Sequence, residues 1–236
     1  MSMTRLPSLI LFDFDRTIGY LYRDPEILTE LKVRVVDVYA PAGTSEEVLQ
    51  SLSQDGYHAW HRLHDWANQH LDPVPAHDLN VKAEQAVAAF EAQRVAETEL
   101  IPGAAEALRR IARSVPVGIV SSNSTQAIEL ALSRAGVRDV VQYVGGRETD
   151  PFKPSNLKPD PFQLELALLR MARASDNSWY VGDDVIDVEA AHRSSLRSVA
   201  VVTGVHSETE LRKSGADLVV SSLSQLADIV DVLREN

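Results

Sequence analysis

Three polar clusters in this chain of 236 residues each follow directly on a short apolar run. Leu9–Phe12 runs into Asp13-Phe14-Asp15-Arg16-Thr17. Val117–Val120 runs into Ser121-Ser122-Asn123. Trp179–Val181 runs into Gly182-Asp183-Asp184-Val185-Ile186-Asp187. A carboxylate is a competent nucleophile toward phosphorus when a cation screens its charge and that of the phosphate. Two carboxylates two residues apart, on a chain leaving a strand, point roughly the same way. One can attack while the other handles the proton of the leaving oxygen. To donate near neutral pH, the second needs a pKa above the usual value of about 3.9; a neighbouring carboxylate raises it and a metal opposes that. A third carboxylate from another strand completes a hard-oxygen site suited to magnesium. The hydroxyl and backbone N–H groups of Ser121 and Ser122 can hold phosphate oxygens, and a lysine can balance the charge of the transition state. Any one cluster alone would be an ordinary helix cap or turn. The expectation rests on all of them meeting at one place.

The elements that would bring them together are legible as a pattern. The apolar runs lack polar alternation, as buried parallel strands do. Val199–Val202 is a fourth such run, Val140–Val144 a weaker one, and Leu218–Val220 a last short one. Helical periodicity falls between them, over Pro102–Ala112, Thr125–Ala135 and Pro161–Met171, the last with Asp160 as expected N-cap. Strands alternating with helices predict an α/β fold, a Rossmann-like doubly wound parallel sheet. Such sheets bind ligands at the carboxyl ends of their strands. Residues 20–95 break the alternation and read as helices only, over Pro25–Tyr39, Ser45–Leu52, Tyr57–His70 and His77–Val95, with a loop at Leu71–Pro75. The expected organisation is an α/β core of residues 1–19 plus 96–236 and a small all-α cap of residues 20–95.

Composition narrows the function classes. The formal net charge is −11, which repels a nucleic-acid backbone. The basic clusters, Arg109-Arg110 with Arg113 and Arg212-Lys213, are too short to reverse that. There is no cysteine, so disulfides, thiolate catalysis and zinc–cysteine sites are excluded. The apolar run near the N-terminus ends at Asp13, too soon for a signal peptide or a membrane span. A cytoplasmic protein without membrane or nucleic-acid partners is the expectation.

These residues carry a family resemblance. Asp13-Phe14-Asp15-Arg16-Thr17 resembles the DxDxT signature of haloacid-dehalogenase-like hydrolases. Ser121 after an apolar strand resembles their second motif, Lys158-Pro159-Asp160-Pro161 their lysine motif, and Gly182-Asp183-Asp184-Val185-Ile186-Asp187 their GDxxxD motif. Gly215-Ala216-Asp217-Leu218 resembles their C-terminal stretch. Order and spacing match over nearly the whole chain outside the cap, in the manner of the phosphoglycolate phosphatase and phosphomutase subgroup. The resemblance implies a Mg2+-dependent phosphatase acting on a small-molecule phosphate ester. It implies that Asp13 is the nucleophile and forms an aspartyl-phosphate. Asp15 would be general acid and then base, with Thr17 orienting its loop. Ser121 would bind the phosphate, with Ser122 and Asn123 supplying substrate contacts, and Lys158 would bridge Asp13 and the phosphate. Asp13, the backbone carbonyl of Asp15, and Asp183 would hold the metal, with Asp187 supporting from behind. Two features depart from the pattern. Arg16 stands where glycine is usual, and Lys153-Pro154 offers a second Lys-Pro pair beside the preferred Lys158-Pro159.

Asp184 is expected at a turn. His58, His61 and His64 are spaced so that a metal pair is possible, but a polar helix face is the expected reading. Trp60 and Trp66 are expected in the core of the cap. Arg23, His58, His61 and Arg62 are candidates for substrate contact. A phosphomutase would share every catalytic motif and would differ in returning the phosphoryl group to substrate. A non-catalytic binding protein would have no need of Asp13, Asp15, Lys158 and Asp183 together. A dehalogenase would not need Asp15.

Overall fold

The computed structural model describes residues 5–147 and 156–235, which form two compact units: 5–21 with 97–147 and 156–235, and 22–96. Lys153 lies outside the described residues. The first unit is built on six parallel strands: β1 (Leu9–Phe12), β2 (Val117–Ser124), β3 (Tyr143–Arg147), β4 (Ser178–Gly182), β5 (Arg197–Val201) and β6 (Leu218–Val220). Their order across the sheet is β3-β2-β1-β4-β5-β6, with helices on both faces. This is the doubly wound α/β architecture expected. The order reverses direction at β1, so β2 and β4 flank it and the carboxyl ends of all three open onto one crevice. All four β1 side chains are fully buried, which suits a central strand covered on both faces. Burying each such side chain stabilises the fold by about 1.5–3 kcal/mol.

The ten α-helices of the described residues run in chain order. α1 (Pro25–Tyr39), α2 (Glu46–Gln50), α3 (Gly56–His70) and α4 (Pro73–Arg94) make up the second unit. α5 (Ala104–Ala112), α6 (Thr125–Arg134), α7 (Phe162–Arg170), α8 (Val185–Arg193), α9 (Glu208–Lys213) and α10 (Leu223–Glu235) belong to the first. α1 matches its expected span. α4 begins four residues before its expected start and takes in Pro73 and Pro75 of the expected loop. Proline is tolerated there because first-turn N–H groups have no intrahelical acceptor, and Asp72 precedes it in an extended N-cap conformation. β3 lies three residues beyond its expected start, since Arg138–Val140 forms a 3-10 turn instead of a strand. α7 starts at Phe162 with Pro161 in the N-cap position; Asp160 accepts a hydrogen bond from the Phe162 N–H at 2.9 Å.

The interior of the helical unit is partly polar. Trp60 is fully buried, whereas Trp66 is half-buried and stacks on His70 at 5.5 Å. The Tyr39 hydroxyl donates to Asn80 Oδ1 at 2.7 Å, and the Tyr57 hydroxyl to Glu91 Oε1 at 2.6 Å. Glu91 is fully buried, and the hydroxyls of Tyr57 and Tyr22, the latter at 3.0 Å, offset the cost of desolvating its carboxylate. His58 is exposed beside Asp55. His64 is largely buried, and burial holds its pKa below the usual value. The three histidines form no metal-ligating group among the described residues. Arg110, from one of the basic clusters, is taken up by Asp228 and Asp231 of α10 at 2.7 Å each.

Candidate active site

The chain leaves β1 at Phe12 and immediately places Asp13 at the carboxyl edge, its N–H donating to the Val181 carbonyl of β4 at 2.8 Å. Beyond it the chain makes a tight turn. The Phe14 carbonyl accepts from the N–H groups of Ile18 and Gly19 at 2.9 and 3.0 Å, and the Arg16 N–H donates to the Gly19 carbonyl at 2.6 Å. Arg16 takes φ 58°, in the left-handed region. That explains why glycine would suit the position and why arginine there costs about 1 kcal/mol. Asp15 is fixed by the Leu21 N–H, which donates to its Oδ1 at 2.7 Å. Thr17 is fully buried and its hydroxyl reaches away from Asp15 to Asp183 Oδ1 at 3.1 Å.

From β4, Gly182 leads to Asp183 and the start of α8. Asp184 is the N-cap of that helix and accepts from the Ile186 N–H at 3.0 Å. Asp187 folds back under the loop. Its Oδ2 accepts from the Asp183 and Asp184 N–H groups at 3.1 Å each, and its Oδ1 pairs with Lys158 Nζ at 2.6 Å. Lys158 Nζ also lies 2.7 Å from Asp13 Oδ1, so the lysine spans the two carboxylates. Its side chain is 4% exposed. Asp13, Asp183 and Asp187 are all buried and offer carboxylate oxygens within 4.8 Å of one another. The Asp15 side chain stands outside that group.

The electrostatics follow from this crowding. Burial pushes Asp183 up to about 9, helped by the Asp187 and Asp13 carboxylates and opposed by Lys158. Burial pushes Asp13 up to about 6; Lys158 pulls it down and Asp187 pushes it up. Burial alone would lower Lys158, but Asp13 and Asp187 outweigh it and hold the ammonium well above its ordinary range. Three buried carboxylates facing one ammonium are therefore frustrated without a further cation. A carboxylate whose folded pKa is raised contributes stability below its unfolded value of 3.8, and that contribution is lost as pH rises through the folded value. In chelator the melting temperature is accordingly expected to fall by at least about 4 °C between pH 6 and 9, where Asp183 ionises. Calorimetry with and without excess Mg2+ checks this, and a flat profile in chelator would show that the cluster is not strained.

Ser121 lies within β2, just past Val120 where the pairing with β3 becomes irregular, and its hydroxyl donates to Asn123 Oδ1 at 2.9 Å. Ser121 and Asn123 are buried and Ser122 is half-buried. The structure thus brings Asp13, Thr17, Ser121, Lys158, Asp183 and Asp187 to one edge of the sheet, with Asp15 beside them. Several supporting residues were missed. The Thr203 hydroxyl donates to the Arg16 carbonyl at 2.5 Å. A Cβ on Gly204 would lie 1.8 Å from Asp183 Oδ2, and one on Gly182 2.2 Å from Asp187 Oδ2, so only glycine fits either place. The Gln163 amide donates to the Gly146 and Ser121 carbonyls at 3.1 and 3.4 Å. Buried Arg147 donates to the Ser122 carbonyl at 2.6 Å. The pair Thr203-Gly204 could have been found, since it too follows an apolar run.

A twisted parallel sheet with a carboxylate-and-lysine cluster at its switch point defines a class of α/β hydrolases, and the comparisons name it. Residues 10–201 match the model of the haloacid dehalogenase-like hydrolase family. The chain belongs to that family. It is 27% identical over 162 residues to a phosphoglycolate phosphatase of Nitrosococcus oceani, covering 68% of this chain and 70% of that one. It is 23% identical to a pyrophosphatase of Listeria welshimeri, over 97% of this chain and 98% of that one. Its fold superposes on that of a predicted phosphatase from Clostridium acetobutylicum with a TM-score of 0.69 at 20% identity, over 97% of this chain and all of the other. No helix among the described residues is long and apolar enough to cross a membrane.

Proposed function

We propose that the protein is a Mg2+-dependent phosphatase that hydrolyses a small phosphate ester through an aspartyl-phosphate on Asp13. The observation that carries this reading is the Asp13–Lys158–Asp187 chain of ion pairs set beside Asp183 at the carboxyl ends of β1 and β4. The relatives named for phosphoglycolate and pyrophosphate hydrolysis support it.

The residues fit the ion. Three buried carboxylates, Asp13, Asp183 and Asp187, share a single ammonium, and the donors at hand are hard carboxylate oxygens. Asp13, the carbonyl of Asp15, and Asp183 would hold it. Both oxygens of Asp187 are engaged by Lys158 and two backbone N–H groups, so Asp187 serves by fixing the Asp183 loop and the lysine. When bound, the ion supplies positive charge to the phosphate oxygens and to the attacking carboxylate.

In the first half-reaction the Asp13 carboxylate attacks phosphorus, the ester P–O bond breaks, and Asp15 gives its proton to the departing oxygen. In the second, Asp15 takes a proton from water as that water attacks the phosphorus, freeing Asp13 and inorganic phosphate. Lys158 offsets charge on Asp13 and the transferred group, and Ser121 with Asn123 receives the phosphate oxygens.

The test is a screen of phosphorylated metabolites for phosphate release. Turnover should require Mg2+ and disappear with EDTA. Activity unaffected by EDTA would overturn the metal assignment, and isomerisation of a sugar phosphate without release would mark a mutase instead.

A further inference from the structure

Arg16 occupies an unusual place. Its backbone is in the left-handed region, its N–H donates to the Gly19 carbonyl, and its carbonyl accepts from Thr203 at 2.5 Å. Its two neighbours are fixed as well, Asp15 by the Leu21 N–H and Thr17 by Asp183. The origin of the Arg16 side chain is therefore set by four hydrogen bonds within the site. Its Nε lies 4.0 Å from Asp15 Oδ2, and both side chains are only about one-fifth exposed, at 22% and 21%. A strained residue kept at a functional turn points to a use for its side chain.

Position says what that use is. On the phosphatase reading, Asp15 serves the leaving oxygen, whereas Lys158, Ser121 and the acidic cluster serve the transferred phosphate. The Arg16 Nε, 4.0 Å from Asp15, consequently lies beside the group that serves the departing part of the substrate. Guanidinium binds carboxylate and phosphate in a two-pronged fashion. We propose that Arg16 is a specificity-determining residue that receives an anionic group on the leaving portion of the substrate, a carboxylate or a second phosphate close to the phosphorus being transferred. This deepens the phosphatase reading and rests on it. The named substrates of the two relatives, phosphoglycolate and pyrophosphate, both carry such a group, although they are properties of those proteins.

The experiment uses two inert phosphonates, phosphonoacetate with a second anion and methylphosphonate without one. Their binding is measured by calorimetry with Mg2+ for the wild type, Arg16→Gly and Arg16→Lys. The wild type should bind phosphonoacetate at least about tenfold more tightly. Arg16→Gly should bring the ratio close to one, and Arg16→Lys should leave it between the two, because charge remains and the fork is lost. Glycine relieves the left-handed backbone, so the variant should melt no lower than the wild type. An equal ratio in wild type and Arg16→Gly, or no preference in the wild type, overturns the assignment. If the wild type nonetheless hydrolyses p-nitrophenyl phosphate, the phosphatase reading stands alone. Binding of neither phosphonate, with no hydrolysis of any phosphate monoester, overturns both.

Discussion

Replacing Asp13 with asparagine is expected to lower kcat by about a thousandfold or more while leaving a folded protein. The carboxamide has nearly the shape of the carboxylate but cannot form an acyl phosphate by direct attack. The fold should tolerate the change because Asp13 is not a comfortable anion. Burial and the neighbouring Asp187 raise its pKa to about 6 despite Lys158, so the ionised form is held at some cost. Lys158 keeps its second partner, Asp187, at 2.6 Å. Stability should therefore move by no more than about 1–2 kcal/mol. Phosphate release and a melting curve on the same preparation separate the two effects. Near wild-type turnover in a folded variant would remove Asp13 from the nucleophile's role.

The second large effect is expected at Lys158, in both activity and stability. Lys158→Met keeps much of the side-chain volume and removes the ammonium. It would leave Asp13 and Asp187 facing each other, buried and uncompensated, beside Asp183. Breaking a buried pair by deleting one partner costs about 3–5 kcal/mol, or roughly 10 °C in Tm for a chain of this size. The sign of the pH dependence follows. Without the ammonium the carboxylates hold their protons more tightly, so stability is retained at low pH and lost as pH rises. The variant should thus be more impaired at pH 8 than at pH 6. Activity should fall by about a thousandfold, since charge balance in the transition state is lost. Should Lys158→Met stay active and stable while Lys153→Met does not, the motif lysine is Lys153.

How far the sequence could be read depends on the range of the interactions involved. β1 was legible because Leu9–Phe12 is an apolar run with no alternation, which only a strand buried on both faces can use. α1 was legible from its periodicity and Pro25 at its first position. The start of α4 was not, because Pro73 and Pro75 read equally well as a loop until tertiary packing favours one more helical turn. β3 was displaced at its start: Val140 opens the apolar run Val140–Val144 but ends a 3-10 turn, with the Arg138 side chain donating to the Val141 carbonyl at 2.6 Å.

The site divides along the same line. Local order alone determined that Asp13, Asp15, Ser121, Lys158, Asp183 and Asp187 follow strands or precede helices, and hence that they could share one edge. Tertiary structure decided what each one does there. Strand order β3-β2-β1-β4-β5-β6 makes β1 and β4 neighbours, though Leu9 and Ser178 lie 169 positions apart, and so sets Lys158 between Asp13 and Asp187. The same closeness explains Gly204, whose missing side chain leaves room for Asp183, and Thr203, which pins the Arg16 turn. Their place after an apolar run marks them as candidates for the sheet edge, but their partners are set only by the folded chain, because a hydrogen bond or a clash across the sheet depends on distances that only folding creates.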